Sequence, residues 1–192
     1  MSHRRLPAAL HRLCAVCLLA CAALVAAAGE GGFTVTELRA RLAADRYLVD
    51  AVIDYRFSDT AEEALFNGVP LTLQIHLQLR RQGAWIWESD VVDARLLYRV
   101  RYQALSELYE ITDLQSGGSQ TFVTREGALD ALGRLSGIHL VRADALEPGA
   151  AYRLSLRTAL DIDALPLPLR PTAYLTPAWN LESEWKEWLL RP

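Results

Sequence analysis

Apolar and polar residues alternate along several stretches of this chain. The clearest stretch is residues 71–79, where every odd position is apolar and every even position is polar. Because successive side chains of a β-strand point to opposite faces, this period of two predicts strands with one buried face. The other stretches with a clear period of two are 47–57, 96–102 and 152–162. Weaker strands are predicted at 33–38, 108–112 and 120–123, the last two flanking a turn at 116–119.

Two short helices are predicted between the strands. The first begins with a capping box from Asp59 to Glu62 and ends at the Asn67-Gly68 pair. Thr124 caps the second, which ends near Gly137. Its apolar side is formed by Ala128, Leu129, Leu132 and Leu135.

The C-terminal tail has a different pattern. Prolines alternate with leucines over 165–171, which predicts an extended connector because proline has no N–H to give to a sheet. After it, the spacing of Leu181, Trp185, Trp188 and Leu189 is that of one helix face. The whole pattern predicts a mainly β protein: an antiparallel β-sandwich of immunoglobulin-like shape with two short helices and a Trp-rich C-terminal tail.

Residues 1–28 have the features of a secretory signal peptide. Arg4, Arg5 and Arg12 precede an apolar run over 13–25, and three small residues, 26–28, follow it. Two alternatives remain open, an uncleaved membrane anchor and lipidation at Cys21. We therefore expect a periplasmic protein whose residues 29–192 form a single β-sandwich domain.

Composition limits the chemistry of the mature chain. All three cysteines lie within residues 1–28, so residues 29–192 have none for thiol catalysis or thiolate metal sites. Removal of the segment leaves 17 basic and 23 acidic residues, a net charge of −6. This charge disfavours binding to nucleic acid, and membrane contact is expected only through an uncleaved N-terminus. No cofactor and no metal site are expected.

Seven segments resemble one known family. They are 33–35 (FTV), 47–51 (YLVDA), 67–71 (NGVPL), 85–87 (WIW), 165–170 (LPLPLR), 174–179 (YLTPAW) and 183–185 (SEW). Together they are similar to the exported proteobacterial family called domain of unknown function 4390. The resemblance implies export but no catalytic residues, because none is established for the family. Its genes often lie beside those for a membrane sensor kinase, which implies an accessory role in envelope signalling.

Two histidines and one pair of aspartates are the candidates for catalytic or metal-binding chemistry. The mature chain has two histidines, His76 and His139, and neither lies near acids at ligand spacing in the sequence, so a structural or surface role is favoured. Asp161 and Asp163 are about 7 Å apart in an extended strand and are candidates for paired acid/base chemistry. We predict no catalytic residue, and the default interpretation of both aspartates is solvated strand-end acids.

Tryptophans and arginines provide candidate contact residues. The tryptophans lie in two groups along the sequence, and the arginines lie on the polar faces of predicted strands. The candidate residues for contact with a partner are Trp85, Trp87, Trp185, Trp188, Arg99 and Arg101. The arginine rows, which also include Arg95, Arg153 and Arg157, are expected to pair across strands. The favoured acids for this pairing are Asp50, Asp54 and Glu110, and the alternative is a basic stripe for an acidic partner. For the tryptophans, burial of the tail against the sandwich is favoured, and the alternatives are an exposed contact surface and an aromatic platform that binds sugars.

These observations favour a non-enzymatic exported protein that acts through protein contacts in the cell envelope, with an envelope or membrane protein as its partner. Two other functions stay open. One is an acid/base hydrolase of envelope glycans that uses Asp161 and Asp163. The other is a carrier of apolar ligands, since a sandwich can open between its sheets.

Overall fold

A computed structural model describes residues 31–85 and 90–192 of the protein. Within these ranges nine strands form: β1 (Gly32–Ala43), β2 (Arg46–Arg56), β3 (Leu71–Arg81), β4 (Val92–Gln103), β5 (Leu108–Asp113), β6 (Ser119–Phe122), β7 (Arg134–Arg142), β8 (Tyr152–Leu160) and β9 (Lys186–Leu190). Three short α-helices lie between them: α1 (Asp59–Phe66), α2 (Arg125–Gly133) and α3 (Arg170–Leu175). Gly31–Pro192 form one compact unit.

The strands form two antiparallel sheets. The smaller sheet has the order β1-β2-β7, and the larger sheet has the order β6-β5-β4-β3-β8-β9. Strand β3 lies near the middle of the larger sheet and pairs with β4 on one side and β8 on the other. The fold is therefore mainly β and sandwich-like, as the alternation of apolar and polar residues predicts.

The buried faces of the two sheets form one hydrophobic core. The odd positions of β3 from Leu71 to Leu79 are almost completely inaccessible to solvent, as are Leu154 and Leu156 of β8. The smaller sheet contributes alternate residues of β2, among them Val49 and Ile53. Strand β1 contacts β8 and β9, which brings one edge of the smaller sheet against the larger. Burial of these alternate side chains gives each sheet one apolar and one polar face.

Two helix ends confirm the predicted caps, with a shift of one residue in the first. The hydroxyl of Ser58, rather than the side chain of Asp59, accepts the backbone N–H of Ala61 and caps α1. Thr124 caps α2 by accepting the N–H of Gly127. Helix α2 ends at Gly133, four residues earlier than predicted, because the chain then enters β7, a strand that the sequence pattern did not reveal.

The C-terminal tail differs most from its prediction. The predicted helix face through Trp185 and Trp188 is wrong, because Lys186–Leu190 form strand β9 and pair with β8. Cross-strand hydrogen bonds therefore outweigh the helical spacing of the apolar residues. The connector predicted over 165–171 also turns into helix α3, in which Pro171 lies in the first turn, where a missing N–H costs nothing.

No helix in the described part of the chain has the length and apolar character needed to cross a membrane.

Candidate functional site

The outer face of the larger sheet, which faces away from the smaller sheet, presents the even positions of β3. Directly opposite residues in antiparallel strands share a face. His76 lies opposite Arg95 of β4 and opposite Arg157 of β8. These three residues form one cross-strand line, here called the histidine row.

His76 is the most buried member of the histidine row. It retains only 6% of its accessible surface, although it lies on the polar side of its strand. Its Nε2 lies 2.6 Å from Oδ1 of Asp93, and its Nδ1 is buried and has no hydrogen-bond partner among the described residues. Because a carboxylate only accepts hydrogen bonds, the neutral ring carries its proton on Nε2. The Nδ1 atom is then a buried acceptor.

Trp185 covers the histidine row. Its ring centroid lies 5.3 Å from that of His76, and the guanidinium of Arg157 lies 4.9 Å from the indole centroid. The backbone of Ser183 two residues earlier is fixed to β8, since Ser183 N–H donates to the Thr158 carbonyl. The Trp185 side chain is nevertheless 38% exposed, so the indole is held by contacts on one side and open to solvent on the other.

The other candidate tryptophans lie elsewhere. Trp188 is paired with Leu154, whose side chain points into the core, so Trp188 lies on the opposite face of the sheet edge from Trp185. It is 41% exposed. Trp85 lies between β3 and β4, is 65% exposed, and its carbonyl accepts a hydrogen bond from Arg80. Trp87 lies outside the described residues. Trp185 is the candidate tryptophan that the structure places against an arginine of the predicted rows, Arg157.

Arg99 and Arg101 lie on the outer face of β4. Both are exposed, as is Arg95 on the same strand. Arg99 is opposite Thr72 and Thr112, and Arg101 is opposite Glu110. Among the residues with described positions, none of these three arginines makes an ion pair.

The predicted pairing of the arginine rows with Asp50 and Asp54 is wrong. Both aspartates belong to β2 of the smaller sheet, where Asp50 binds Arg41 and Asp54 binds Arg56. Glu110 is in register with Arg101, but its carboxylate accepts a hydrogen bond from Gln103. Strand β3 also separates β4 from β8, so the two arginine rows are not direct neighbours. Arg153 of β8 does pair across strands, with Glu187 of β9. A continuous stripe from both rows requires neighbouring strands, so the outer face has two separate rows instead.

Asp161 and Asp163 have structural partners. Oδ1 of Asp161 accepts the N–H groups of Asp163 and Ala164 at the start of a short 3-10 turn. The hydroxyl of Tyr174 donates to Asp163 at 2.5 Å. These bonds fix the turn after β8 and give each carboxylate a role in local structure.

A cleft of about 220 Å³ opens between the larger sheet and the α2–β7 region. Apolar side chains from both sides line it, among them Ile111, Phe122 and Leu132. Tyr98 also lines the cleft, and its pKa is raised, first by burial and then by the nearby carboxylate of Asp113. Two larger clefts, of about 320 and 300 Å³, have more charged side chains in their linings.

No group of three or more histidine, aspartate and glutamate side chains in the described ranges is arranged to hold a metal ion. The sequence pattern places Arg157 in an arginine row and favours a structural or surface role for His76, but it does not indicate a role for Asp93 or bring the three residues together. The sequence signal for this site is the position of His76 on the polar face of its strand. Its cross-strand neighbours, Arg95 and Arg157, follow only from the strand register.

The fold and this surface define a mainly β, sandwich-like protein whose most distinctive surface combines a covered histidine, unpaired arginines and a half-exposed tryptophan. The chain belongs to the family described as Domain of unknown function (DUF4390), which matches residues 30–189. No curated protein and no solved structure matches the chain.

Proposed function

We propose that this protein is an exported, non-enzymatic protein of the cell envelope that acts by binding another envelope or membrane protein. Its contact surface is the outer face of the larger sheet, formed by Arg99, Arg101, Arg95 and Trp185. Trp188 borders this surface at the edge strand β9. The export signal over residues 1–28 supports the location.

The observation that carries the proposal is a row of arginines on β4, without ion-pair partners among the described residues, on the same sheet face as a half-exposed tryptophan. The chain is acidic overall, with 23 acidic and 20 basic residues, and acids pair with many other arginines of the described surface. Arg95, Arg99 and Arg101 have no such partner within the described ranges, yet they share one strand face. Tryptophan and arginine are the residues most enriched at the energetic centres of protein interfaces. An acidic patch on the partner complements this surface.

The rival functions have less support. The carboxylates of Asp161 and Asp163 accept hydrogen bonds that stabilise the turn after β8, so local structure explains the presence of both residues. The apolar-lined cleft near Ile111 has about 220 Å³, below the roughly 300–1,000 Å³ of most small-molecule pockets. The two larger clefts reach that range, but several charged side chains line each of them, which does not suit an apolar ligand. Contact with a macromolecule therefore fits the surface better than turnover or carriage of a ligand.

Crosslinking in living cells tests the proposal. The protein carries a C-terminal tag, the envelope is solubilised after crosslinking, and mass spectrometry identifies the captured proteins and the mature N-terminus. We expect to recover a specific envelope partner. Its recovery should fall at least about fivefold for the double variant Arg99→Gln/Arg101→Gln and for Trp185→Ala, because a few interface residues provide most of the binding energy.

Arg39→Gln/Arg56→Gln is the matched control. Both arginines are exposed on the smaller sheet, where they pair with Glu37 and Asp54, so their loss removes the same two charges from a different face. Circular dichroism confirms that each variant is folded. Undiminished recovery of the partner by folded Arg99→Gln/Arg101→Gln and Trp185→Ala proteins would show that the contact lies elsewhere.

A further inference from the structure

The histidine row has an unsatisfied acceptor at its centre. Nδ1 of His76 is buried without a hydrogen-bond partner in the described part of the chain, while Nε2 is held by Asp93. Buried polar atoms in native proteins are nearly always hydrogen-bonded, and an exception calls for a specific explanation. The neutral ring needs a donor at Nδ1, and none of the charged neighbours supplies one.

Two arginines are the cross-strand neighbours of His76. Arg95 and Arg157 lie directly opposite it, so their Cα atoms lie about 5 Å from that of His76 on either side. The guanidinium carbon of Arg157 lies 4.9 Å from the centroid of the Trp185 indole. A guanidinium has five N–H donors, and those of Arg95 and Arg157 make no hydrogen bond to a described residue. The row therefore has donors available for a ligand beside one buried acceptor.

The local charge favours an anion. The row has two guanidinium groups against one carboxylate, Asp93, whose Oδ1 is bound to the other ring nitrogen. Two more acids lie along the outer face, each two residues away from Arg157 in register. Glu187 is opposite Ser155 and is paired with Arg153 at 3.5 Å, and Glu182 is opposite Ala159. The two arginines of the row have no ion-pair partner among the described residues, so their charge is available to a ligand.

We propose that the histidine row binds a phosphate group that carries one proton. The P–OH group donates to Nδ1 of His76, and the remaining phosphate oxygens accept from Arg95 and Arg157. Hydrogen phosphate has both features, whereas sulfate and carboxylate have negative oxygens but no proton to donate near neutral pH. Trp185 forms a cover that moves aside by side-chain rotation, since Ser183 keeps the backbone fixed. The site lies on the proposed contact surface but does not need a protein partner.

Titration of the purified full-length protein with inorganic phosphate and, separately, with sulfate tests this site. Calorimetry measures affinity, and ¹⁵N NMR of the histidine rings follows Nδ1 of His76. We expect saturable phosphate binding in the millimolar range, at least about tenfold weaker sulfate binding, and a shift of the Nδ1 resonance with phosphate alone. Glycerol 3-phosphate at about pH 6, where about half of it carries a P–OH proton, distinguishes the source. Binding equal to or tighter than that of phosphate at the same pH assigns the site to phosphate monoesters, and weaker binding assigns it to free phosphate.

Charge variants complete the test. Arg95→Gln and Arg157→Gln should each weaken phosphate binding at least about tenfold, since each removes a charge-assisted hydrogen bond. Arg153→Gln is the control, because Arg153 lies on β8 and on the same face but is paired with Glu187. No saturable binding up to about 10 mM, equal affinity for sulfate, or an equal loss in Arg153→Gln would overturn the proposal. Absence of phosphate binding would not bear on the proposed partner contact, because crosslinking in cells tests that contact separately.

Discussion

Gly133 ends helix α2 where the helix meets strand β2. A Cβ atom at this position would lie 2.1 Å from the carbonyl oxygen of Ile53, a contact with backbone that cannot swing away. The absence of a side chain therefore sets how closely α2 approaches the smaller sheet. Leu132, one residue before Gly133, is buried in the core, and strand β7 begins one residue after Gly133, at Arg134.

Gly133→Ala should lower the free energy of unfolding by about 3 kcal/mol, because overpacking forces the helix away from β2. Urea denaturation monitored by circular dichroism measures the loss. The control is Gly32→Ala, since no atom lies within 4 Å of a Cβ built there. We expect its effect to stay within about 0.5 kcal/mol. Equal stability of the two variants would show that the helix and strand separate without cost.

Individual site residues were hard to assign from the sequence. Trp185 was proposed as a contact residue because of its type, and the structure places it beside His76 and Arg157. The partner of His76 is Asp93, which lies 17 residues away. That contact depends on the register between β3 and β4, which is set by core packing and carries no local sequence signal.

Strand β2 is joined to both neighbours of the smaller sheet by one side chain. Asp50 accepts from Nε of Arg41 on β1 and from the backbone N–H of Gly137 on β7, each at 2.7 Å. The Gly137 N–H, followed by Arg41, holds the pKa of the Asp50 carboxyl below its usual value. The Asp50 carboxylate thus links β2 to both β1 and β7.

Asp50→Asn should cost about 1.5 kcal/mol near neutral pH, because hydrogen bonds to a charged acceptor are lost or weakened. Since the folded pKa lies below the unfolded value of about 3.9, this contribution is present above about pH 4 and disappears as pH falls through the folded pKa. Urea unfolding near pH 7 and near pH 3 measures it.

Asp54→Asn is the control on the same strand, because Asp54 pairs only with its near neighbour Arg56. Its effect should stay below about 0.5 kcal/mol at either pH. A difference between the two variants that persists at the lower pH would contradict an electrostatic role for Asp50.

The elements that the sequence predicted well are those with a strong local signal. Strand β3 has an uninterrupted period of two because one whole face lies in the core. Strand β9 was predicted as a helix because its apolar residues have helical spacing and only pairing with β8 fixes it as a strand. Strand β7 was missed because it follows α2 without a loop, and the pattern of Leu132 and Leu135 continues across the junction.

At the scale of the molecule, one buried side-chain hydrogen bond in the described ranges joins the two sheets. The hydroxyl of Tyr55 on β2 lies 3.2 Å from Oγ1 of Thr158 on β8, and both residues are buried. Burial raises the pKa of the Tyr55 hydroxyl far above its usual value, and the nearby Tyr98 raises it further. The neutral hydroxyl is therefore part of what holds the sandwich together.

The protein should lose stability in alkaline solution. The folded pKa of Tyr55 is above the unfolded value of about 10, so its contribution is complete below that pH and declines as pH rises further. Thermal unfolding from about pH 8 to 11 measures the decline. Tyr55→Phe should cost about 1 kcal/mol at neutral pH and reduce the alkaline decline, because the ionisable group between the sheets is gone.

Tyr47→Phe is the matched control. Tyr47 is also buried on β2, but its hydroxyl makes no hydrogen bond to the larger sheet in the described ranges. Its alkaline decline should equal that of the unmodified protein. If Tyr55→Phe and Tyr47→Phe proteins lost stability along the same curve, the link between the sheets would have no role in the pH response.

The edge strand β9 also affects the order of assembly. The last strand of the fold pairs with β8 and contacts β1, the first strand, so residues about 150 positions apart in sequence must meet before the larger sheet is complete. A chain that emerges with its N-terminus first keeps the edge of β8 and one side of β1 uncovered until Leu190 has emerged. Folding is then governed by distant contacts, which makes it slow and leaves incomplete chains prone to aggregation.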